Sequence, residues 1–198
     1  MDNADLKADM RSQVLDRRSM LRDDARELAN RQVFERAHKL DVFQLASCVH
    51  IYRSVRDEVD TWPFFEYAWG IGKRVYVPVS TPTGLQHTHV TRDTQWQVGA
   101  FGIPEPRHAP QAQTPSQSAP FADVLPADLT LVIVPLVAFD KACNRVGYGK
   151  GFYDRFLATA KVMTMGLAFE CQKVDVVPTE QHDVALSCVA TDQRWYIP

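Results

Sequence analysis

The stretch from Leu129 to Leu157, LTLVIVPLVAFDKACNRVGYGKGFYDRFL, constrains this chain more than any other. It opens as a fully apolar strand, passes through a glycine-punctuated loop, and ends as a helix. Gly147, Gly149 and Gly151 alternate with Tyr148 and Lys150, with Arg145 ahead of them and Asp154 behind. Glycines let backbone N–H groups approach an anion, and the start of the following helix adds a favourable dipole. Lys150 and Arg145 add positive charge. Asp154 is a carboxylate near enough to hold a hydrated Mg²⁺ against a phosphate. The residue pattern therefore reads as a phosphate-holding loop rather than a bare strand-to-helix turn.

It is neither common nucleotide fingerprint. A Walker A loop would place Ser or Thr after the lysine, where Gly151 stands, and a dinucleotide loop would read GxGxxG where this one reads GxGxG.

Length and composition narrow the remaining possibilities. A chain of 198 residues supports one well-buried core and reads as one domain. A net charge of -2 argues against a nucleic-acid partner, which would want a strong basic excess. Cys48, Cys143, Cys171 and Cys188 lie far apart with no CxxC pair, and read as free thiols in a reducing compartment. The charged N-terminus MDNADLKADMRSQ has no apolar core of a secretory signal. The longest apolar run, Leu129 to Phe139, is shorter than the roughly 20 residues a membrane span needs. The expectation is a soluble, cytoplasmic, monomeric protein acting on small molecules, without a membrane or nucleic-acid partner.

Strands and helices alternate along the sequence. Leu6, Met10, Val14 and Leu21 share one helical stripe, which predicts an amphipathic helix over about the first 20 residues. Lys7, Arg11, Arg18 and Arg22 form a second stripe beside it. A second helix is expected over about 24–39, a strand over 47–52, an aromatic-rich helix over 61–72 and a strand over 74–79. Residues 85–90 alternate like an exposed strand, on which His87 and His89 read as surface residues rather than a zinc site. The tract 104–126 holds six of the chain's 12 prolines and reads as a long loop. A helix to about Ala160 and strands over 162–169 and 188–191 follow. Several strands are continuously apolar, so a three-layer α/β fold is predicted, a mainly parallel sheet with helices on both faces. Ligands in such sheets sit at the carboxyl ends of strands, where the glycine loop and the loop Arg53–Glu58 could face one cleft.

The motif NRVGYGKGFYDRFL resembles the signature of the 5-formyltetrahydrofolate cyclo-ligase family, loosely FD-x-x-G-x-R-[LV]-G-x-G-x-G-[FY]-YD. The chain departs at Cys143, where the family usually has glycine. Lys7 and Arg11 match an N-terminal K-x-x-x-R. SVRDEVDT (54–61), FGIPEP (101–106) and PTEQHDVAL (178–186) match further short blocks in order.

The resemblance implies a fold like that of sugar-phosphate isomerases and CoA-transferases, and an ATP- and Mg²⁺-dependent reaction. ATP phosphorylates the formyl oxygen of 5-formyltetrahydrofolate, N10 attacks the activated carbon, and 5,10-methenyltetrahydrofolate forms with ADP and phosphate. Phosphoryl transfer needs positioning and charge neutralisation more than a protein nucleophile, which fits the lack of an evident triad. Lys7 and Arg11 are one helical turn apart and can point at one anion. Alone they read as a solvated basic face; the resemblance assigns them to ATP phosphates. It also assigns ATP to the run Arg145, Val146, Gly147, Tyr148, Gly149, Lys150, Gly151, Phe152 and Tyr153, with Tyr148 to Phe152 also touching folate and with Lys150 and Arg145 as the catalytic cations. Glu58 is implied as the carboxylate facing the pterin's two donors. Arg53 and Phe101 are implied as pocket residues. Asp154 and Asp183 are implied as Mg²⁺ ligands. A phosphosugar isomerase on a related fold and a non-catalytic folate- or nucleotide-binding protein stay open as alternatives.

Overall fold

The computed structural model describes residues 2–82, 84–99, 102–107 and 130–198. Helix α1 (Asn3–Ser19) is capped by the Asp2 side chain, which accepts from the Asp5 N–H. There follow α2 (Asp23–Ala37), α3 (Asp41–Gln44), β1 (Cys48–Ile51), α4 (Trp62–Gly70), β2 (Arg74–Thr81) and β3 (Gly84–Val90). Then come β4 (Trp96–Val98), β5 (Pro104–Pro106), β6 (Thr130–Val134), β7 (Ala138–Phe139) and β8 (Arg145–Val146). The chain closes with α5 (Phe152–Thr159), β9 (Met163–Leu167), β10 (Cys188–Ala190) and β11 (Trp195–Tyr196).

Seven strands form the central sheet in the order β11-β10-β9-β6-β1-β2-β3. The pairs β10–β9, β9–β6, β6–β1 and β1–β2 are parallel, and the edge strands β3 and β11 run antiparallel. The continuous apolar run of β6 reflects its central place, since both of its faces are covered. Leu131 and Ile133 point to the face packed by α2, α3 and α4. Val132 and Val134 point to the other, packed by α5 and the β7–β8 hairpin. All four are fully buried, each worth about 1.5–3 kcal/mol of apolar transfer. This is the three-layer, mainly parallel α/β architecture expected from the sequence.

Two of the differences from expectation shape the site. Strand β6 stops at Val134, before Pro135, and the apolar residues beyond it turn into the β7–β8 hairpin. The glycine loop therefore leaves this hairpin rather than the sheet strand itself. Helix α1 lies on the hairpin through Met10, Val14 and Leu15, against Val137, Ala138, Val146 and Val177. Leu6, on the same predicted stripe, stays exposed. Its end of the helix instead faces the polar segment 179–183, where Asn3 donates to the Thr179 carbonyl and Lys7 meets Glu180.

His87 also turns inward. Its Nδ1 lies 3.0 Å from Nε2 of the fully buried His50, and both rings pack on Phe156. Residues 108–126 of the proline tract lie outside the described residues, whereas 104–106 pair with Trp96–Val98. Among the described residues, no helix is long and apolar enough to cross a membrane.

Candidate active site

The site forms where the loop after β1 meets the loop between β8 and α5. The first loop closes on itself. Fully buried Thr61 donates through Oγ1 to the Tyr52 carbonyl (2.8 Å), and the Ser54 N–H donates to Thr61 Oγ1 (3.1 Å). This brings Glu58 back over the loop's start, where its Oε2 accepts from the Val55 N–H at 2.8 Å. The second loop carries two glycines in the left-handed region, Gly149 (φ 89°) and Gly151 (φ 63°), the latter capping α5. Tyr148, Gly149 and Lys150 are its exposed tip.

The two loops join directly. The Tyr148 hydroxyl donates to Glu58 Oε1 at 2.6 Å. Burial pushes the Glu58 carboxyl above the usual carboxylate range, while the Tyr148 and Val55 hydrogen bonds and nearby Arg18 pull it back. Each Glu58 oxygen is engaged once, and a carboxylate offers about four lone-pair sites in all, so acceptor capacity remains for a ligand with two donors. Tyr153 is half-buried with its hydroxyl buried, and lies near Glu58 and Arg145, which act on that hydroxyl electrostatically. That hydroxyl has no hydrogen-bond partner among the described residues. An orphaned buried hydroxyl is costly unless something else satisfies it.

Arg53 stands at the outer wall. Its guanidinium stacks over Trp62 (4.5 Å), Trp96 (5.0 Å) and Phe65 (5.4 Å). Its Nε and Nη1 are buried without a partner among the described residues. Burial lowers its pKa, and Asp60 partly offsets this. The β4–β5 hairpin, built in part from the FGIPEP block, presents Trp96 here. The sequence reading did not single out Trp96. Phe101 lies outside the described residues.

The cations predicted for phosphate divide into those aimed at the loop and those turned elsewhere. Arg11 Nε donates to the Gly147 carbonyl at 2.8 Å, and its guanidinium lies against Gly149. Lys150 sits at the exposed tip. Lys7 does not share Arg11's target: its Nζ pairs with Asp183 Oδ2 (2.6 Å) and Glu180 Oε2 (2.9 Å). Burial opposes the Lys7 charge, and the two carboxylates more than offset that. Arg145 turns inward, its side chain 4% exposed, donating to Asp154 Oδ1 at 2.7 Å and to the Val184 carbonyl. It braces the loop from beneath rather than presenting charge at its tip, because β8 pairs with β7 and faces it into the fold. The Val146 side chain is likewise core, packed with α1, and Phe152 lies at the start of α5, under the Arg155 guanidinium.

Asp154 and Asp183 come from distant segments, yet both act on the Arg145 cation. Burial pulls its pKa down, and the two carboxylates partly restore it. Asp183 also lies beside Glu180 and His182, with ligand atoms of the three within 4.8 Å of one another. Asp154 and Asp183 carry hard oxygen donors of the kind Mg²⁺ takes beside phosphate, and each is paired with a cation, Asp154 with Arg145 and Asp183 with Lys7.

Arg18 and Asp57 escaped the sequence reading as site residues. Arg18 is 2% exposed, and its Nε and Nη2 donate to the two Asp57 oxygens at 3.1 and 3.0 Å. Its Nη2 also donates to the Tyr148 hydroxyl at 3.1 Å. The only sequence signal was a place on the basic stripe of α1.

Comparison with known proteins identifies the family. The model of the 5-formyltetrahydrofolate cyclo-ligase family matches residues 3–192. The 5-formyltetrahydrofolate cyclo-ligase of Escherichia coli K12 is 31% identical over 188 residues, covering 91% of this chain and 97% of its own. That of Haemophilus influenzae is 32% identical over 191 residues, covering 93% and 96%. The solution structure of Aquifex aeolicus 5,10-methenyltetrahydrofolate synthetase superposes with a TM-score of 0.79 at 27% identity, covering 97% of this chain and 92% of that one.

Proposed function

The chain belongs to the 5-formyltetrahydrofolate cyclo-ligase family, and we propose that it closes 5-formyltetrahydrofolate to 5,10-methenyltetrahydrofolate in the cleft between its two loops. The γ-phosphoryl group of ATP passes to the formyl oxygen, releasing ADP. The N10 lone pair then attacks the formyl carbon, N10 loses its proton, and the carbon–oxygen bond breaks with phosphate as leaving group. An amide-like oxygen leaves poorly until phosphorylated, so activation and ring closure belong to one site.

The chain's own groups divide that work. The loop 147–151 and the start of α5 offer backbone N–H groups to phosphate, with Lys150 as the catalytic cation at the tip. Arg11 fixes the Gly147 end of the loop, Arg145 braces it from below, and Lys7 sets the acidic segment 180–183 beside it. Asp154 and Asp183 would hold Mg²⁺, which supplies neutralisation of phosphate charge. Ionised Glu58 accepts from the pterin's 2-amino and N3–H edge, Tyr148 orients it, and Arg53 lines the pocket wall. Phe101 is the proposed aromatic neighbour of the folate rings. The protein works as a cytoplasmic monomer in this reading.

The observation that carries the proposal is the Tyr148–Glu58 hydrogen bond, which joins the loop suited to phosphate to the carboxylate suited to pterin. The test is direct: mix protein, ATP, Mg²⁺ and 5-formyltetrahydrofolate, and follow the near-UV absorbance of the methenyl product. Absence of ATP-dependent absorbance with folded protein would overturn the reading.

A further inference from the structure

We propose that Arg18, clamped by Asp57, is a positioning residue that commits the Tyr148 hydroxyl proton to Glu58 and thereby fixes the carboxylate that meets the pterin. The inference rests on the reading of Glu58 above. Its basis is a one-way chain of hydrogen bonds. Arginine carries only donors. The Tyr148 oxygen, 3.1 Å from Arg18 Nη2, must therefore accept from it, which leaves the single hydroxyl proton to go elsewhere. The acceptor within reach is Glu58 Oε1 at 2.6 Å. Asp57 fixes the guanidinium plane by taking both Nε and Nη2, a two-point contact that a lysine could not reproduce.

The position of Arg18 in the chain gives this clamp its reach. It lies in the last turn of α1, two turns after Arg11, which holds the Gly147 carbonyl of the same loop. Helix α1 thus grips the glycine loop at two points, the backbone of Gly147 and the side chain of Tyr148. Arg18 also spans to the other loop through Asp57, one residue before Glu58. Neither partner is available to a solvated arginine, and a 2% exposed cation is kept in a fold only where it is fully paired.

Among the described residues, the charged and titratable groups facing Glu58 are few. Arg18 comes from α1, Asp57 from its own loop, Tyr148 from the glycine loop, Tyr52 from the end of β1 and Tyr153 from α5. Arg18 is the cation among these that favours the ionised carboxylate, and Asp57 opposes it. Removing the cation or freeing the tyrosine proton therefore raises the pH at which Glu58 ionises. Folate binding then needs a higher pH, while ATP binding does not.

The experiment compares Arg18→Lys, Arg18→Met, Asp57→Asn and Glu58→Gln, with melting curves to confirm folding. Each is read by KM for 5-formyltetrahydrofolate, dissociation constant for ATP, and the acid limb of kcat/KM. Glu58→Gln should raise the folate KM with ATP binding kept. Arg18→Lys should raise the folate KM about tenfold with ATP binding within twofold. Arg18→Met should do the same and move the acid limb upward. Lys should rescue the limb but not the KM, because it restores charge without the fork. If Arg18→Met does not fold, Asp57→Asn carries the test, since it loosens the clamp and keeps the cation. The double variant Asp57→Asn/Glu58→Gln should then be no worse than Glu58→Gln alone. Loss of folate affinity in Glu58→Gln with wild-type values in Arg18→Lys and Asp57→Asn overturns the clamp and leaves the Glu58 assignment standing. Wild-type folate affinity in Glu58→Gln overturns both.

Discussion

The loop after β1 and the glycine loop are built in opposite ways. The loop after β1 is held by its own side chains: Thr61 ties Tyr52 and Ser54, and Glu58 ties Val55. The glycine loop has two left-handed glycines and little internal bonding, and its order comes from outside, from Arg11, Arg18 and Arg145. A self-tied loop can present a buried carboxylate at a fixed place. An externally braced loop can turn its N–H groups toward an arriving phosphate. The contrast fits a site in which one half recognises a shaped ring and the other wraps a flexible anion.

The largest expected effect lies at the externally braced loop. Lys150→Ala removes the charge at its tip. Turnover with ATP should fall by the equivalent of about 2–4 kcal/mol in kcat/KM, with melting curves confirming that the variant is folded. Steady-state kinetics would decide it, and near wild-type kcat/KM would remove the phosphate role from this loop and with it the contrast.

The next prediction concerns the floor that the two loops share. His50 lies in β1, which leads into the self-tied loop, Phe156 belongs to the helix after the glycine loop, and His87 packs on both. Burial holds His87 down at about 4, against an ordinary 6.5. Between these values the unfolded chain binds the proton and the native protein does not, so stability falls as pH drops. The loss should begin near pH 6.5 and accumulate toward pH 4, on the order of 2–3 kcal/mol. Urea melts across that range should show it, and His87→Gln should make the slope shallower, leaving the part due to His50, which burial also holds well below the ordinary value. A slope unchanged by His87→Gln would mean that His87 does not carry it.

The self-tied loop should respond to loss of its tie. Thr61→Val keeps the shape and removes the hydroxyl that serves Tyr52 and Ser54. The expected cost is about 1–3 kcal/mol in denaturant unfolding, since a buried carbonyl and an N–H lose their partner. Folate KM should rise as Glu58 shifts, with ATP binding kept. An equal loss of both ligands would show that the loops are less separate than their bonding suggests.

How much of this was legible beforehand follows the same division. The glycine loop announced itself because glycine spacing and interleaved charge are local in sequence. The sheet was legible because β1, β2, β6 and β9 carry continuous or alternating apolar runs. What was hidden depends on contacts across long separations or on very short elements. The β7–β8 hairpin has two-residue strands, and its residues extend the apolar run of β6, so periodicity could not separate them. Lys7 and Arg11 share a stripe, yet Lys7 finds its partners more than 170 residues away. Arg18 looked like its neighbours on that stripe, and only the fold buries it against Asp57. The glycine-to-cysteine departure at residue 143 was visible, but its meaning needed a backbone angle.

That departure supplies the smallest prediction, and it tests the bracing hairpin rather than the loop itself. Cys143 has φ 59°, in the left-handed region that favours glycine. It sits in the turn that Asp140 organises, whose carboxylate accepts from the N–H groups of Ala142, Asn144 and Val177. Holding a residue with a Cβ there costs roughly 1–2 kcal/mol. The thiol is fully buried among Val132, Phe139, Leu186 and their neighbours, so removing it sacrifices packing worth about the same. Cys143→Gly should therefore relieve strain and lose burial in nearly equal measure, changing unfolding stability by less than about 1 kcal/mol. Activity should hold, because Asp140 rather than residue 143 keeps the turn closed. A stability loss beyond about 2 kcal/mol would show that the buried thiol, and not the backbone, fixes the hairpin on which the glycine loop rests.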